Sequence, residues 1–551
     1  MTLGPPPAPP ETASMRTRDG VRLDADLYRP PGEGPWPVLL LRQAYGRRIA
    51  STLAYAHPAW YAAQGYLVVV QDVRGRGTSE GTFRAFETEA EDGADAIAWA
   101  AGLEGSTGAV GMYGFSYQGV NQLLAAAEAP AALKAIAPAM ASWDIREDWA
   151  YEGGAFNLMG SLGWAIQLAA ENARLAGDVT AFNELHALSR GAPLGAPNPA
   201  RPEFMARHAA HSHYGQWLDA PADGGYWRAV SPSWRADAIA AQGLPCLIVG
   251  GWFDSHLPGS LANYFALAGH SPTRLVVGPW GHFPWGRRVA GYDFGPDAAN
   301  PIDRLQIRWF DHWLKGIDNG IAAEPPVRLF DMGANRWRDF DAWPAADTSL
   351  HLQSDGRAAN SEDGRLSPTP ATEAGVDHLV HDPWRPAPTV GGSSGWPGGP
   401  IERSAVDDRP DVLTYTTAPM DAPFAIAGSA QAELHVLADA PHFDIACILS
   451  RVDTGGRVYQ IAEGYRSGPA PAAGEPVAVS LRATCATINP GEALRLSVAA
   501  ASFPAHPVNP GDGRRPEDAS LHEHRIITLG VRSGPGAASR LILYQTSEHR
   551  P

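Results

Sequence analysis

Cysteine is scarce. Three residues in 551, Cys246, Cys447 and Cys485, are odd in number and far apart, which excludes a disulfide framework and any cysteine-based metal spacing. Cys246, inside LPCLIVGG, reads as a small buried core residue. Long apolar runs are missing too: nothing approaches the roughly 18 residues of a membrane span, so an integral membrane protein is excluded. Basic residues are outnumbered, 43 Lys and Arg against 59 Asp and Glu for a net charge of −16. That balance is wrong for a nucleic-acid partner, whose phosphates need a basic face, and favours neutral, cationic or mixed substrates. The start, MTLGPPPAPPETAS, has neither the basic residues nor the apolar stretch of a signal peptide and reads as a short Pro-rich tail, so the expected location is cytoplasmic. No internal repeat is visible.

What is present is a globular composition, 44% hydrophobic and 19% charged, over a length that suits two to four domains. PVLLLRQ (37–43), YLVVVQD (66–72), GAVGMYG (108–114) and KAIAPAM (134–140) are short, apolar and bounded by Gly or Pro, as strands buried on both faces should be. Helix-like segments such as TEAEDGADAIAWAAG lie between them, so the section predicts a doubly wound parallel sheet. The strand signal fades in a Trp- and Ala-rich stretch and returns in PCLIVGGWFD (245–254) and TRLVVGPWGH (273–282). A helical block interrupting a parallel sheet predicts a cap over the strands' carboxyl ends, where such sheets bind ligands. Beyond about 325, short alternating strands such as AQAELHVLA, FDIACILSRVD and ALRLSVAAA predict a β-sandwich or jelly roll. The expected division is an α/β core at 1–140 and 236–324, a helical cap at 141–235 and a jelly-roll domain at 325–551, with a long irregular connection over 354–410.

GMYGFSYQGV (111–120) sets Ser116 between a strand and a helix. Its spacing is G-x-S-x-x-G, one residue longer than the G-x-S-x-G of the usual nucleophile elbow, and alone it is as good a turn as a catalytic serine. A serine nucleophile needs a base and a group that orients the base. In a doubly wound hydrolase these follow in the order acid, then histidine, each after a strand. Asp254 ends one later strand and His282 the next. Singly, Asp254 could cap a helix and His282 could be a packed core histidine; together they fill the required order. The Tyr117 amide, just after the serine, and Tyr45, after the strand LLLRQ, stand where the two donors of an oxyanion hole are needed.

RDGVRLDADLYRP (18–30), LRQAYGRR (41–48), QDVRGRGTSEG (71–81), GFSYQG (114–119), APAMAS (137–142), GGWFD (250–254) and GPWGH (278–282), with LTYTTAPM (413–420) and ASFPAHPVNPG (501–511), resemble the cocaine esterase and X-Pro dipeptidyl-peptidase family. That family also holds the α-amino acid ester hydrolases and some cephalosporin acylases, and G-x-S-Y-x-G is its own elbow. The resemblance implies an α/β-hydrolase core with cap and jelly roll. It implies Ser116 as nucleophile, Asp254 as acid, His282 as base, and the Tyr45 hydroxyl with the Tyr117 amide as oxyanion hole. The carboxylates that hold a substrate ammonium in the amino acid ester hydrolases are missing, since Ser255, His256 and Leu257 follow Asp254. WAYEGGAFNLMGSLGW instead resembles the cocaine esterase branch and implies an aromatic acyl pocket lined by Trp149 and Trp164, with His256 as a polar point and Phe115 beside the nucleophile. Packing of the cap core is the alternative for both tryptophans. Asp144, Glu147 and Asp148 could attract a cationic substrate, but a charge run at the start of a cap helix reads first as a solvated face. The expected reaction is two-step acyl transfer on a small-molecule ester, with amides second, no metal or organic cofactor, no nucleic-acid or membrane partner, and a homo-oligomer left open. The rivals are an X-Pro dipeptidyl-peptidase or other amide acylase and, from another class, a catalytically dead carbohydrate-binding or scaffolding protein. Gln118 has no role at this level.

Overall fold

A computed structural model describes residues 9–48, 52–192, 194–359, 363–472 and 474–545. Its organising element is a ten-stranded sheet. The strands are β1 (Glu11–Arg16), β2 (Arg22–Tyr28), β3 (Trp36–Gln43), β4 (Leu67–Asp72), β5 (Ser106–Phe115), β6 (Leu133–Ala139), β7 (Cys246–Phe253), β8 (Thr273–Gly281), β9 (Val327–Asp331) and β10 (Arg336–Phe340). They lie in the order β1-β2-β4-β3-β5-β6-β7-β8-β9-β10. Pairing is parallel from β4 across to β9, with antiparallel strands added at both edges. The central strands bury every residue of Leu67–Asp72 and Cys246–Phe253, because the crossover helices cover both faces. The longer helices include α1 (Glu89–Ala101), α2 (Tyr117–Ala127), α3 (Leu158–Ala176), α4 (Leu257–Leu267) and α5 (Ile302–Lys315), of which all but α3 lie against the sheet.

Between β6 and β7 the chain leaves the sheet for the expected helical block, of which α3 is the longest member. Its core gathers Trp149, Leu162, Ile166, Leu185, Tyr214, Trp217 and Trp227. Beyond residue 345 an antiparallel β-rich domain follows; its longest strand, Phe424–Ala438, pairs with Val477–Ile488, Arg540–Gln545 and Ile527–Ser533. Two details differ from the sequence expectation. The strands β9 and β10, expected to open this domain at 325, extend the core sheet, because Val327–Leu329 aligns in parallel with Leu275–Val277. The connection 354–410 is also less irregular than expected, holding strands Arg365–Ser367 and Gly375–His381 and a helical turn at Ser404–Asp407.

The helical block is roofed onto the β domain by main-chain contacts. Ser467 N–H donates to Gly153 O (2.8 Å), Leu158 N–H to Ala505 O (2.8 Å) and Leu521 N–H to Pro197 O (2.7 Å). A Cβ on Gly153 would lie 1.8 Å from Tyr465 O, and its φ is 54°, so only glycine fits that approach. Among the described residues no helix is long and apolar enough to cross a membrane.

Candidate active site

The carboxyl ends of β3, β5, β7 and β8 carry the candidate residues. At the end of β5 the chain turns abruptly into α2, and Ser116 sits in the turn with φ 61° and ψ −127°, 5% exposed. A positive φ is strained for a residue with a Cβ and marks the sharp elbow that lifts a nucleophile off a sheet. The flanking glycines let the turn close. A Cβ on Gly114 would come within 2.5 Å of Gln118 Cβ, and one on Gly119 within 2.7 Å of Ala141 Cβ. The longer spacing therefore places Gly119 where α2 presses on the end of β6.

Asp254 and His282 meet as expected: His282 Nδ1 hydrogen-bonds Asp254 Oδ1 at 2.7 Å. Each follows its strand by one residue, and a bulge brings the ends together. Gly251 pairs with Gly278 but Phe253 pairs with Gly281, so β8 carries one extra residue. The extra residue drives Trp280 O toward Gly251, where a Cβ would sit 2.4 Å away, which explains the glycine just before WFD. Asp254 is fully buried. Burial alone would raise its pKa, but the adjoining His282, by charge and hydrogen bond, outweighs burial and holds the carboxyl below its usual range.

The two oxyanion candidates flank the serine. Tyr117 N–H begins α2 and donates to nothing among the described residues, as expected of a first-turn amide. Its phenol is used elsewhere, donating to Glu89 Oε1 (2.8 Å) and accepting from Phe86 N–H (3.2 Å). The Tyr45 hydroxyl accepts from Trp164 Nε1 at 3.0 Å. Burial pushes the Tyr45 phenol up, so it keeps its proton, and because indole can only donate, that proton is free for an oxyanion. Ser116 and His282 share no direct hydrogen bond among the described residues. Nucleophile and base often tighten only around substrate.

Gln118 now has a place. Its Nε2 donates to Gln43 Oε1 (2.9 Å) and its Oε1 accepts from Phe115 N–H (3.4 Å). It thus ties the elbow to the end of β3, two residues before Tyr45.

Over the serine the cap supplies an aromatic wall. Trp149 and Trp164 lie 4.7 Å apart between ring centres, with Phe86 5.3 Å from Trp149 and Trp217 5.5 Å from Trp164. His256 joins them, 4.3 Å from Trp149 and 5.1 Å from His282, its Nδ1 3.2 Å from Ser142 Oγ. Burial first, then the neighbouring His282, lower its pKa to about 4 against the pull of Asp254, so it is neutral at pH 7. Phe115 does not join this wall; its ring packs against Tyr55, Trp285 and His282, on the other side of the strand end. The acidic run is not a solvated face either. Asp148 Oδ2 accepts from the amides of Trp143 and Asp144, and Asp144 Oδ1 from those of Arg146 and Glu147. Only Glu147 of the three is exposed.

Sequence reasoning missed Arg482. This buried residue of the β domain donates to the carbonyls of Asp254 (3.2 Å) and Ser255 (2.8 Å), and its Nη2 pairs with Glu152 of the cap at 2.7 Å. It also missed Trp217 and Phe86, which no local pattern distinguishes from packing. Among the described residues no cluster of His, Cys, Asp and Glu could hold a metal ion.

Residues 19–284 match the family described as X-Pro dipeptidyl-peptidase (S15 family), and 319–533 match the X-Pro dipeptidyl-peptidase C-terminal non-catalytic domain. The chain is 32% identical to the cocaine esterase of Rhodococcus sp. (strain MB1 Bresler) over 557 aligned residues, 96% of either chain. It is 28% identical to a putative serine esterase of Mycobacterium bovis, with 81% of this chain and 78% of that one covered. Among solved structures, an aminopeptidase from the marine sediment archaeon Thaumarchaeota archaeon (TM-score 0.80, 22% identity, 99% of this chain and 98% of that one) and an α-amino acid ester hydrolase (TM-score 0.76, 22% identity, 99% and 98%) share the fold. With a serine elbow, an Asp–His pair and a full-length relative at 32% identity, the chain belongs to the X-Pro dipeptidyl-peptidase (S15) family and is a serine hydrolase.

Proposed function

We propose that the protein hydrolyses carboxylic esters of small molecules through an acyl-enzyme on Ser116, with an acyl group seated against Trp149 and Trp164. The observation that carries this is the 2.7 Å Asp254–His282 hydrogen bond beside a serine elbow whose two oxyanion donors, Tyr45 and Tyr117, are both unspent. With Nδ1–H given to Asp254, His282 keeps a lone pair on Nε2 for the serine proton. Ser116 Oγ then bonds the acyl carbon, and the carbonyl electrons move to an oxygen held by the Tyr45 hydroxyl and the Tyr117 amide. The C–O bond to the alcohol breaks as His282 returns the proton to it. Water, deprotonated by the same histidine, then releases the acid and regenerates the serine.

Esters are preferred because an alkoxide leaves with less help than an amine. The named activities of the Rhodococcus and mycobacterial relatives agree with that preference. A cytoplasmic location belongs to the same reading, supported by three buried cysteines, all free. The test sets chromogenic esters beside prolyl amides, with fluorophosphonate labelling of the intact protein. The expected result is ester turnover and labelling, both lost in Ser116→Ala. Turnover of prolyl amides alone would overturn the ester assignment in favour of the peptidase, and labelling that survives Ser116→Ala would remove the serine from the mechanism.

A further inference from the structure

One buried cation beside this site has neither a hydrogen bond nor an ion pair within 4 Å among the described residues; Glu171, the carboxylate whose field reaches it, is bonded to Arg174. Arg76 lies four residues past β4, is 1% exposed, and leaves Nε, Nη1 and Nη2 all without a hydrogen bond. Its contact is apolar: the guanidinium lies over the Phe83 ring at 3.7 Å. Its neighbours in sequence and space are served differently. Arg42 is bonded to Gln71 and Glu89, Arg47 to Asp26 and Asp72, and Arg74 to Asp19 and Asp92. An unpaired buried guanidinium is costly, so a fold keeps one where something else completes it.

The surroundings say what that is. Phe83 packs on Tyr117 (5.8 Å), Tyr117 on Phe86 (4.4 Å), and Phe86 on Trp149 and Trp164 (5.3 and 6.0 Å), so Arg76 borders the aromatic wall over the serine. Tyr45, hydrogen-bonded to Trp164, lies within the field of the same guanidinium. On the cap side, His213 stands 4.9 Å from Trp164 and 4.6 Å from Trp217, and its Nε2 is buried with no partner. Burial, with the Arg76 charge adding to it, lowers the His213 pKa to about 3, so the ring is a neutral group able to present an N–H.

We propose that Arg76 and His213 form a carboxylate-binding subsite in the acyl pocket, and that the preferred substrates are half-esters of dicarboxylic acids. The planar guanidinium offers paired N–H donors that suit a carboxylate, while the indoles take up the methylenes between that carboxylate and the scissile carbonyl. This rests on the ester-hydrolase reading and narrows it. It also reverses locally what the net charge of −16 suggests, since a short-range buried cation outweighs a screened overall field.

The test compares kcat/KM for mono-4-nitrophenyl glutarate and its uncharged counterpart 4-nitrophenyl pentanoate. In the unaltered protein the glutarate should be favoured at least tenfold. In Arg76→Met the acid-to-neutral ratio should fall at least tenfold, with Arg76→Lys in between. Inhibition of 4-nitrophenyl pentanoate hydrolysis by free glutarate over the uncharged diamide glutaramide supplies a readout on the unaltered protein that needs no folded variant. A neutral ester favoured over the acid, a ratio unchanged in Arg76→Met, or equal inhibition by glutarate and glutaramide would overturn the subsite while leaving the hydrolase intact. Failure of fluorophosphonate to label Ser116 would instead remove the hydrolase reading on which the subsite depends.

Discussion

Arg482 belongs to the β domain, yet it holds the main chain that presents the proposed catalytic acid. Replacing it with methionine keeps most of the side-chain volume and removes the charge. The Glu152 pair at 2.7 Å and the donors to Asp254 O and Ser255 O disappear together. Glu152 is then a largely buried carboxylate without its cation, and breaking such a pair from one side costs about 3–5 kcal/mol. The pH dependence has a definite sign. In the native chain burial works to raise the Glu152 pKa, but Arg482 overrides it and the net shift is downward. The pair's stabilisation is therefore complete above the unfolded carboxylate pKa, about 4.3, and is lost as pH falls through the lower folded value. Without Arg482, burial is opposed only by the weaker pull of His506, the shift turns upward, and the deficit of the variant should be largest near pH 7 and shrink toward pH 4. Urea unfolding followed by tryptophan fluorescence measures this, and Arg482→Met/Glu152→Gln should recover about half of the loss by removing the stranded charge. Ester kcat should fall about tenfold, with KM less affected, as the Asp254 loop loses its anchors. A deficit below about 1 kcal/mol, or one that grows as pH falls, would refute this account of Arg482.

Two further perturbations probe the site. Tyr45→Phe removes one oxyanion donor while keeping the ring, so kcat on esters should drop about 10²–10³-fold with little change in KM; stopped-flow acylation rates check it, and an unchanged rate would take Tyr45 out of the oxyanion hole. Burial raises the Asp148 pKa to about 7, against the backbone amides that bond it. An acid with a raised folded pKa favours the protonated fold, so stability should decline from about pH 4 to 7 by on the order of 4 kcal/mol and then level off. Asp148→Asn should flatten that decline in urea titrations across the range; a wild-type curve already flat there would contradict it.

The strands and the order of Ser116, Asp254 and His282 were legible in the sequence because each is a local event, an apolar run stopped by a chemical residue. The roles of Gln118, Arg482 and Arg76 were not, because each depends on residues 75 to more than 300 positions away, and nothing local records such a meeting. The pairing of β9 with the core sheet was hidden for the same reason: its alternation resembles the strands after it, while its partner β8 lies some 50 residues earlier. Asp148 shows how composition misleads. A carboxylate preceded by another acid looks solvated until the loop folds its amides back on it. Phe115 was expected in the pocket from adjacency to Ser116, but its ring packs on Tyr55, Trp285 and His282 and apart from the tryptophans.

The main-chain hydrogen bonds between Ser467, Ala505 and Leu521 and the helical block bear on how such a chain can change over generations. The chemistry sits on strand ends, whereas the aromatic wall arrives largely as one insertion between β6 and β7, which looks like a cassette that recombination could trade for another. Yet the roof of that cassette hangs from the β domain, at one point through a glycine that tolerates no side chain. A new insertion would have to bring its own ceiling, so the two segments should be inherited as a pair, and chimeras between relatives should work when both come from one parent.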